Sequence, residues 1–273
     1  MNILVRAAII DDWLGIRHVH RNCDDPWHNE DECQAWIAKR IERGFYIQVA
    51  ECDGKIVGHG EWNVSDEPNV RMFYLNMLQV DTDYQCSGIG RAMIEDGMVH
   101  AKINNCSVMV TIPESDNNSY LFYEKCGFVK RRIIKKCDIP TKANSFRKYT
   151  RVSEVPFSIV SEMPYIFGLS QISSQFMWEI CNRKPETDDR YTPAIVINDT
   201  TFVQLLYSHE SDSSLVLCWS KLEKKENLIE SILSFGDECG LKYLTFRFFE
   251  ENEPFFRNYL VEDADIEMIR DLN

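Results

Sequence analysis

The stretch Leu78-Gln79-Val80-Asp81-Thr82-Asp83-Tyr84-Gln85-Cys86-Ser87-Gly88-Ile89-Gly90-Arg91-Ala92-Met93 carries the spacing that points most directly to chemistry. An apolar strand ends at Val80, a polar loop bearing two glycines follows, and a helix starts at about Gly90. Such a loop leaves the first helical amides without carbonyl partners, facing outward at the positive end of the helix dipole. Glycines there let a ligand approach the backbone without a Cβ in the way. The chemistry implied is anion binding, and a diphosphate fits it. An ordinary strand-to-helix turn can look the same, so the loop alone does not name a ligand. It is not a Walker loop, since no Gly-Lys-Ser/Thr follows, and the second half of the dinucleotide fingerprint is missing. No Cys-x-x-Cys pair, no zinc-ligand spacing with histidines and no Ser-His-Asp or Ser-His-Glu arrangement is visible, so no metal site is expected.

The elements that must position this loop alternate along the first half. Ile3 to Ala7 reads as a strand, and Asp11 or Asp12 can cap a helix running to about Arg21. Glu30 to Arg43 puts Cys33, Trp36, Ile37 and Ile41 on one helical face and closes at Gly44. Phe45 to Cys52 and Lys55 to Val64 are strands joined by Asp53-Gly54, a strong hairpin signal. Val70 to Val80 is a longer strand, followed by the glycine loop, a helix to about Lys102 and a strand from Cys106 to Ile112. Ser119 to Cys126 reads as a short helix and Phe128 to Cys137 as a strand of mixed charge. The order is β-α-α-β-β-β-α-β-α-β.

With these elements in place, Gln85-x-x-Gly88-x-Gly90 resembles the cofactor motif of the GNAT superfamily of N-acetyltransferases. Ser119-Tyr120-Leu121-Phe122-Tyr123-Glu124-Lys125-Cys126-Gly127-Phe128 is similar to a second segment of that family, and Val5-Arg6-Ala7 before Asp11-Asp12 resembles its opening. The likeness runs from residue 1 to about 140. It implies an α/β (α+β) GNAT fold, a mixed, mostly antiparallel sheet flanked by helices, and acetyl-CoA as cosubstrate. The backbone of Leu78, Gln79 and Val80 would pair with the pantetheine arm like an extra strand, where this strand parts from the next. An amide near Leu78 could polarise the thioester carbonyl. Amides from Cys86, Ser87, Gly88, Ile89, Gly90 and Arg91, with Gln85 before them, would hold the diphosphate. Tyr123 matches the family's general acid, which protonates the departing thiolate.

Three departures bear on that reading. Cys86-Ser87 stands where relatives often have two basic residues, so the diphosphate would rest on backbone and dipole, with Arg91 the nearest cation. A cofactor-contacting asparagine falls near Asp116, Asn117 or Asn118. No Asp or Glu lies in Val70 to Val80, and Thr111 is close to the position where some relatives carry a glutamate. The general base therefore falls to Glu61, acting through water, with His59 on the same face of its strand, although an ordinary surface carboxylate is the plainer expectation for Glu61. Trp27 and His28 lie in a loop that helps shape the acceptor pocket in relatives.

The chain has 273 residues and a formal net charge of −13, unevenly spread. Residues 1–150 hold 19 Lys/Arg against 21 Asp/Glu, net −2; residues 151–273 hold 11 against 22, net −11. This argues against a nucleic-acid partner, and an acidic half could attract a cationic amine. Lys130-Arg131-Arg132 and Lys135-Lys136 read as exposed positions on an edge strand, and Glu250-Glu251-x-Glu253 as a solvated loop. The ten cysteines would be enough for a disulfide framework, but no secretory leader is seen and no apolar run reaches the roughly 18 residues of a membrane span; the expectation is a cytoplasmic protein with reduced thiols, monomeric or homodimeric, with no membrane partner.

Composition shifts near residue 150, giving an expected N-acetyltransferase domain over 1–150 and an acidic α/β domain over 151–273. A helix is expected from about Pro164 to Asn182, strands at Ala194 to Asn198, Thr201 to Ser208 and Ser214 to Ser220, a helix from Leu222 to Glu238, a strand from Leu241 to Phe249, a short helix from Pro254 to Leu260 and a strand near Ile266. From Thr201 this repeats the element order of Lys55 to Cys137, so the second half reads as a degenerate GNAT-like unit. Its loop Lys221-Leu222-Glu223-Lys224-Lys225-Glu226 has no glycine and should bind no CoA. The functional expectation is acetyl transfer from acetyl-CoA to a small-molecule or peptide amine; the alternative is a non-catalytic acyl-CoA-binding sensor or regulatory subunit.

Overall fold

The computed structural model describes residues 2–23, 30–113, 119–141, 149–153, 155–169, 173–174, 177–178, 194–206, 213–221 and 227–272. The first half builds β1 (Ile3–Ala7), α1 (Trp13–Asn22), α2 (Glu30–Glu42), β2 (Tyr46–Cys52), β3 (Lys55–Glu67), β4 (Val70–Val80), α3 (Ile89–Ile103), β5 (Val108–Thr111), α4 (Ser119–Lys125) and β6 (Val129–Pro140). The β2–β3 hairpin turns on Asp53 and Gly54, both at positive φ (49° and 80°), as a tight mirror-image turn requires. α1 and α2 cover the face of the sheet that presents Ile47 and Val49. The alternate residues Gln48 and Ala50 point to α3 on the other face, where Gln48 donates to the Met93 carbonyl at 3.2 Å. α4 packs on that same face through Tyr123, against Phe73, Leu75 and Met109.

The second half supplies β7 (Thr150–Val152), α5 (Phe157–Glu162), β8 (Tyr165–Phe167), β9 (Ala194–Ile197), β10 (Thr201–Leu206), β11 (Ser213–Ser220), α6 (Leu228–Glu238), β12 (Tyr243–Phe249) and β13 (Glu262–Asp271). α6 buries Ile229, Ile232 and Phe235 against Val203, Val216 and Phe246 in a core of its own. Where a helix is expected from Pro164, the chain instead forms β8, because Ile166 and Phe167 are drawn into that core beside β11. The rest of that expected helix lies largely outside the described residues.

All thirteen strands join one sheet, in the order β1-β2-β3-β4-β5-β13-β6-β12-β11-β10-β9-β7, with β8 beside β11. The halves are interleaved at the centre. β13, from the second half, lies antiparallel between β5 and β6, while β6, from the first, lies between β13 and β12. The acidic second half is consistent with a second unit of the same fold.

This interleaving corrects two expectations drawn from the charge pattern. β6 is not an edge strand, and although Lys130 and Arg131 are exposed as expected, Arg132, Lys135 and Lys136 are half-buried in ion pairs. Arg132 binds Glu267 through Nε at 3.1 Å and through its terminal nitrogen at 3.0 Å, and its guanidinium carbon stands 3.3 Å from the Phe249 ring centre. Lys135 meets Asp263 at 2.8 Å and Glu253 at 3.4 Å, and Arg132 also meets Glu251 at 3.3 Å. Part of the second half's negative charge is thus matched by β6. The partners are more than a hundred residues apart, so no local pattern could pair them.

Candidate active site

β4 and β5 run parallel and pair from Met72–Val108 to Leu75–Thr111, and pairing stops there. At that rung β4 takes an extra residue. Leu75 faces Trp62 of β3 but Met77 faces Glu61, leaving Asn76 as a bulge. Asn76 is held by donating through its side-chain amide to Asn63 Oδ1 at 3.0 Å. Beyond the bulge, Leu78, Gln79 and Val80 pair with Gly60, His59 and Gly58 on one side. Among the described residues no strand pairs with them on the other side. An extended, amide-bearing ligand can add to that edge as a strand.

The same edge leads to the start of α3. A 3-10 turn (Thr82–Tyr84) precedes Gln85, whose side-chain amide donates back to the Val80 carbonyl at 3.1 Å. Cys86 and Gly88 both have positive φ, 59° and 91°, and the Ser87 hydroxyl donates to the Tyr84 carbonyl. The first helical bond runs from the Ala92 amide to the Gly88 carbonyl at 3.0 Å, so the amides of Ile89, Gly90 and Arg91 precede it. Gln85, Cys86, Ser87 and Gly88 are exposed. A Cβ on Gly90 would stand 3.1 Å from the Phe122 ring, so glycine brings α3 close against α4. Diphosphate, carried at the end of a ligand lying along Leu78–Val80, fits this turn. Arg91 is exposed, and its guanidinium donates to the Lys125 carbonyl at 2.7 Å, tying the start of α3 to the end of α4.

Tyr123 sits on the α3–α4 face at the last paired rung. It is buried between Phe122 and Phe128, edge-on to both rings at 5.1 and 5.6 Å. Burial pushes its phenol up to about 12, a hydrogen bond with the Thr111 side chain acting in the opposite direction. Thr111 is the last β5 residue paired with β4, so Tyr123 is anchored where the strands part.

Glu61 lies on the opposite face, one rung past that point. It is 2% exposed, which overturns the expectation of an ordinary surface carboxylate. Its Oε1 is 3.3 Å from Nε of Arg40, whose guanidinium stacks over Trp36 and Phe45 at 4.6 and 5.0 Å. Burial raises the Glu61 carboxyl to about 7, with Arg40 acting the other way. Two residues back on the same face, His59 Nδ1 is 3.0 Å from His20 Nε2, and burial holds His59 well below the ordinary histidine value, so His59 is neutral near pH 7. Sequence reasoning did not find Arg40 or His20; the Trp36–Arg40 spacing of one helical turn is the local trace of the cluster.

Asp116, Asn117, Asn118, Trp27 and His28 lie outside the described residues, as do five of the six residues of the loop Lys221–Glu226. All nine cysteines described are free thiols; Cys86 is exposed. Among the described residues no group of three His, Cys, Asp or Glu could hold a metal ion, and no helix is long and apolar enough to cross a membrane.

The second half repeats the parting of strands but closes it. β11 and β12 run parallel from Ser213–Tyr243 to Leu215–Thr245 and then separate. Into this gap comes β8, pairing Phe167 with Cys218 and Tyr165 with Trp219. The amides of Gly168 and Leu169 then bond the Arg247 carbonyl of β12.

Comparison with known proteins agrees with this geometry. The acetyltransferase (GNAT) family matches the sequence over residues 10–128. No curated protein sequence matches the chain. Among solved structures, the chain resembles a GCN5-related N-acetyltransferase from Anabaena variabilis, with TM-score 0.71 and 13% identity over 100% of this chain and 73% of that one. One from Kribbella flavida gives 0.67 and 10% over 99% and 72%, and one from Sphaerobacter thermophilus 0.55 and 13% over 99% and 96%. At such identities the likeness is one of fold. The family match rests on the segment that holds the parted strands, the glycine turn and Tyr123: over residues 10–128 this chain is a domain of the GNAT acetyltransferase family.

Proposed function

We propose that the chain moves an acetyl group from acetyl-CoA directly to an amine. The observation that carries this reading is the parting of β4 from β5 after Leu75–Thr111, with a phenol on one face of the opening and a carboxylate on the other. Acetyl-CoA supplies an activated thioester carbon. The backbone of Leu78 to Val80 would hold the donor's arm, and the turn from Cys86 to Arg91 its diphosphate.

The amine must reach the thioester deprotonated. Glu61, with a carboxyl near 7, is matched to accept that proton at neutral pH, through an intervening water. As the C–N bond forms and the C–S bond breaks, the thiolate takes a proton from Tyr123. A phenol near 12 is a weak donor to an ordinary thiolate, but the same apolar surroundings disfavour a buried thiolate, which brings the two closer. Holding amine and thioester together in the gap supplies a further share of the rate.

We assign residues 1–150 as the acetyl-CoA-binding domain and 151–273 as a second unit that binds no CoA. Thiol release from acetyl-CoA across an amine panel, parent against Tyr123→Phe, tests the proposal. Turnover with at least one amine, reduced roughly 100-fold in the variant, is expected. CoA binding without turnover on any amine would favour the sensor reading, and turnover indifferent to Tyr123→Phe would remove the tyrosine from the mechanism.

A further inference from the structure

We infer that a cavity between β4 and the segment following β8 is a subsite for a second, non-reacting cation on the acceptor, held by Glu67. The inference uses the proposed acetyl transfer only to say which end of the acceptor reacts. The cavity measures about 330 Å³, within the range of small-ligand sites. At one end it is lined by Tyr74 and Ile112, each adjacent in sequence to the last β4–β5 rung. At the other end are Glu67, the last residue of β3, and Asn69 in the turn to β4. Its walls come from both halves: Met72 and Tyr74 from the first, Leu169 and Phe249 from the second.

Glu67 is the group that a ligand would complete. Its carboxylate accepts from the Ser65 hydroxyl at 3.3 Å and from the Ser174 hydroxyl; among the described residues no lysine or arginine forms a close ion pair with it, Arg132 acting on it only at longer range. Ser174 belongs to the second half, and its neighbour Ser173 accepts from Asn63 at 2.9 Å, so this wall is fastened to β3. The other carboxylate lining the cavity, Glu267, is already neutralised by Arg132 at 3.0 Å, with Arg131 at 3.6 Å. Arg131 and Arg132, which both line the cavity, are thus both engaged by Glu267 rather than by Glu67. A half-buried carboxylate whose close partners are hydroxyls is incompletely compensated, and an ammonium or guanidinium supplies what it lacks. From Tyr74 to Val70 the strand spans about 13 Å. The acceptor class is therefore an elongated amine with an apolar middle and a cation at each end.

The test compares n-alkylamines with α,ω-diaminoalkanes of equal length by initial-rate kinetics, and measures binding of the diaminoalkanes alone by calorimetry. We expect kcat/KM for the better diamines to exceed that of the matched monoamines tenfold or more. Glu67→Gln should bring this ratio to about one, and Glu67→Asp, which keeps the charge, should retain part of it; thermal midpoints check that both variants fold. A parent ratio near one, or a ratio that Glu67→Gln leaves unchanged, overturns the subsite. Glu67-dependent diamine binding without acetylation of any amine would uphold the subsite and sink the acetyl-transfer reading. Acetylation with no preference for a second cation would do the reverse.

Discussion

Phe167 is paired with Cys218 in the gap beside β11, the place that corresponds to the open edge beside Leu78 in β4. Its ring lies 5.5 Å from both Phe246 and Phe256, filling the space where a thioester would have to sit. The backbone edge that a pantetheine arm would use is taken by the chain itself. One acyl-CoA should therefore bind per chain, as measured by calorimetry, and a stoichiometry of two would refute the closed second cleft. Phe167→Ala should cost about 3–5 kcal/mol in stability without creating a second site.

The carboxyl of Glu61, raised to about 7 by burial, gives activity a definite pH dependence. The base works only when ionised, so kcat/KM should rise with pH and be about tenfold lower at pH 6 than at pH 8. An arylamine acceptor, which does not titrate in this window, isolates the effect. Glu61→Gln should lower the rate and flatten the profile; a limb near pH 7 that survives in the variant would place the base elsewhere. Stability moves the other way. Glu61 and Glu67, both raised to about 7, keep protons in the folded state that the unfolded chain releases from about pH 4.5 upward. Their contribution to stability is present below pH 4.5 and lost as pH rises through 7, so the thermal midpoint should fall over that interval.

Gly88 caps α3 at φ 91° with nothing within 4 Å of where a Cβ would stand. Gly88→Ala thus meets no clash but must adopt a backbone conformation unfavourable to a side chain. A loss of about 1 kcal/mol in stability is expected, with a larger proportional loss of CoA affinity as the amides of the turn shift. Equal CoA affinity in parent and variant, measured by calorimetry, would show that the turn does not hold the diphosphate.

Arg132 and Glu267 join strands from the two halves, and Glu267 is 5% exposed. Arg132→Met leaves a buried carboxylate short of its main partner and should cost about 2–4 kcal/mol. The double variant with Glu267→Met should recover a substantial part of that loss. Additive losses in a double-mutant cycle by chemical denaturation would show that the pair is not coupled.

Local patterning is enough to specify the elements of the first half and the chemistry of one turn. Val70–Val80 forms a strand at the bounds its apolar run indicates, Asp53-Gly54 makes the hairpin, and the Gly88–Gly90 spacing marks the start of α3. These features rest on contacts between near neighbours, which leave a trace in spacing and residue type. Tyr123 and Glu61 were nameable from motif and strand position, but not their settings. Only tertiary packing puts Thr111 against one and Arg40 against the other, on opposite faces of the parted strands. The conversion of residues 165–167 from expected helix to strand followed from a gap beside β11 that no local pattern records. The insertion of β13 between β5 and β6, which turns apparently exposed lysines and arginines into ion-pair partners, depends on residues more than a hundred positions apart. Periodicity reports which face of an element is buried; what buries it is decided by the fold as a whole.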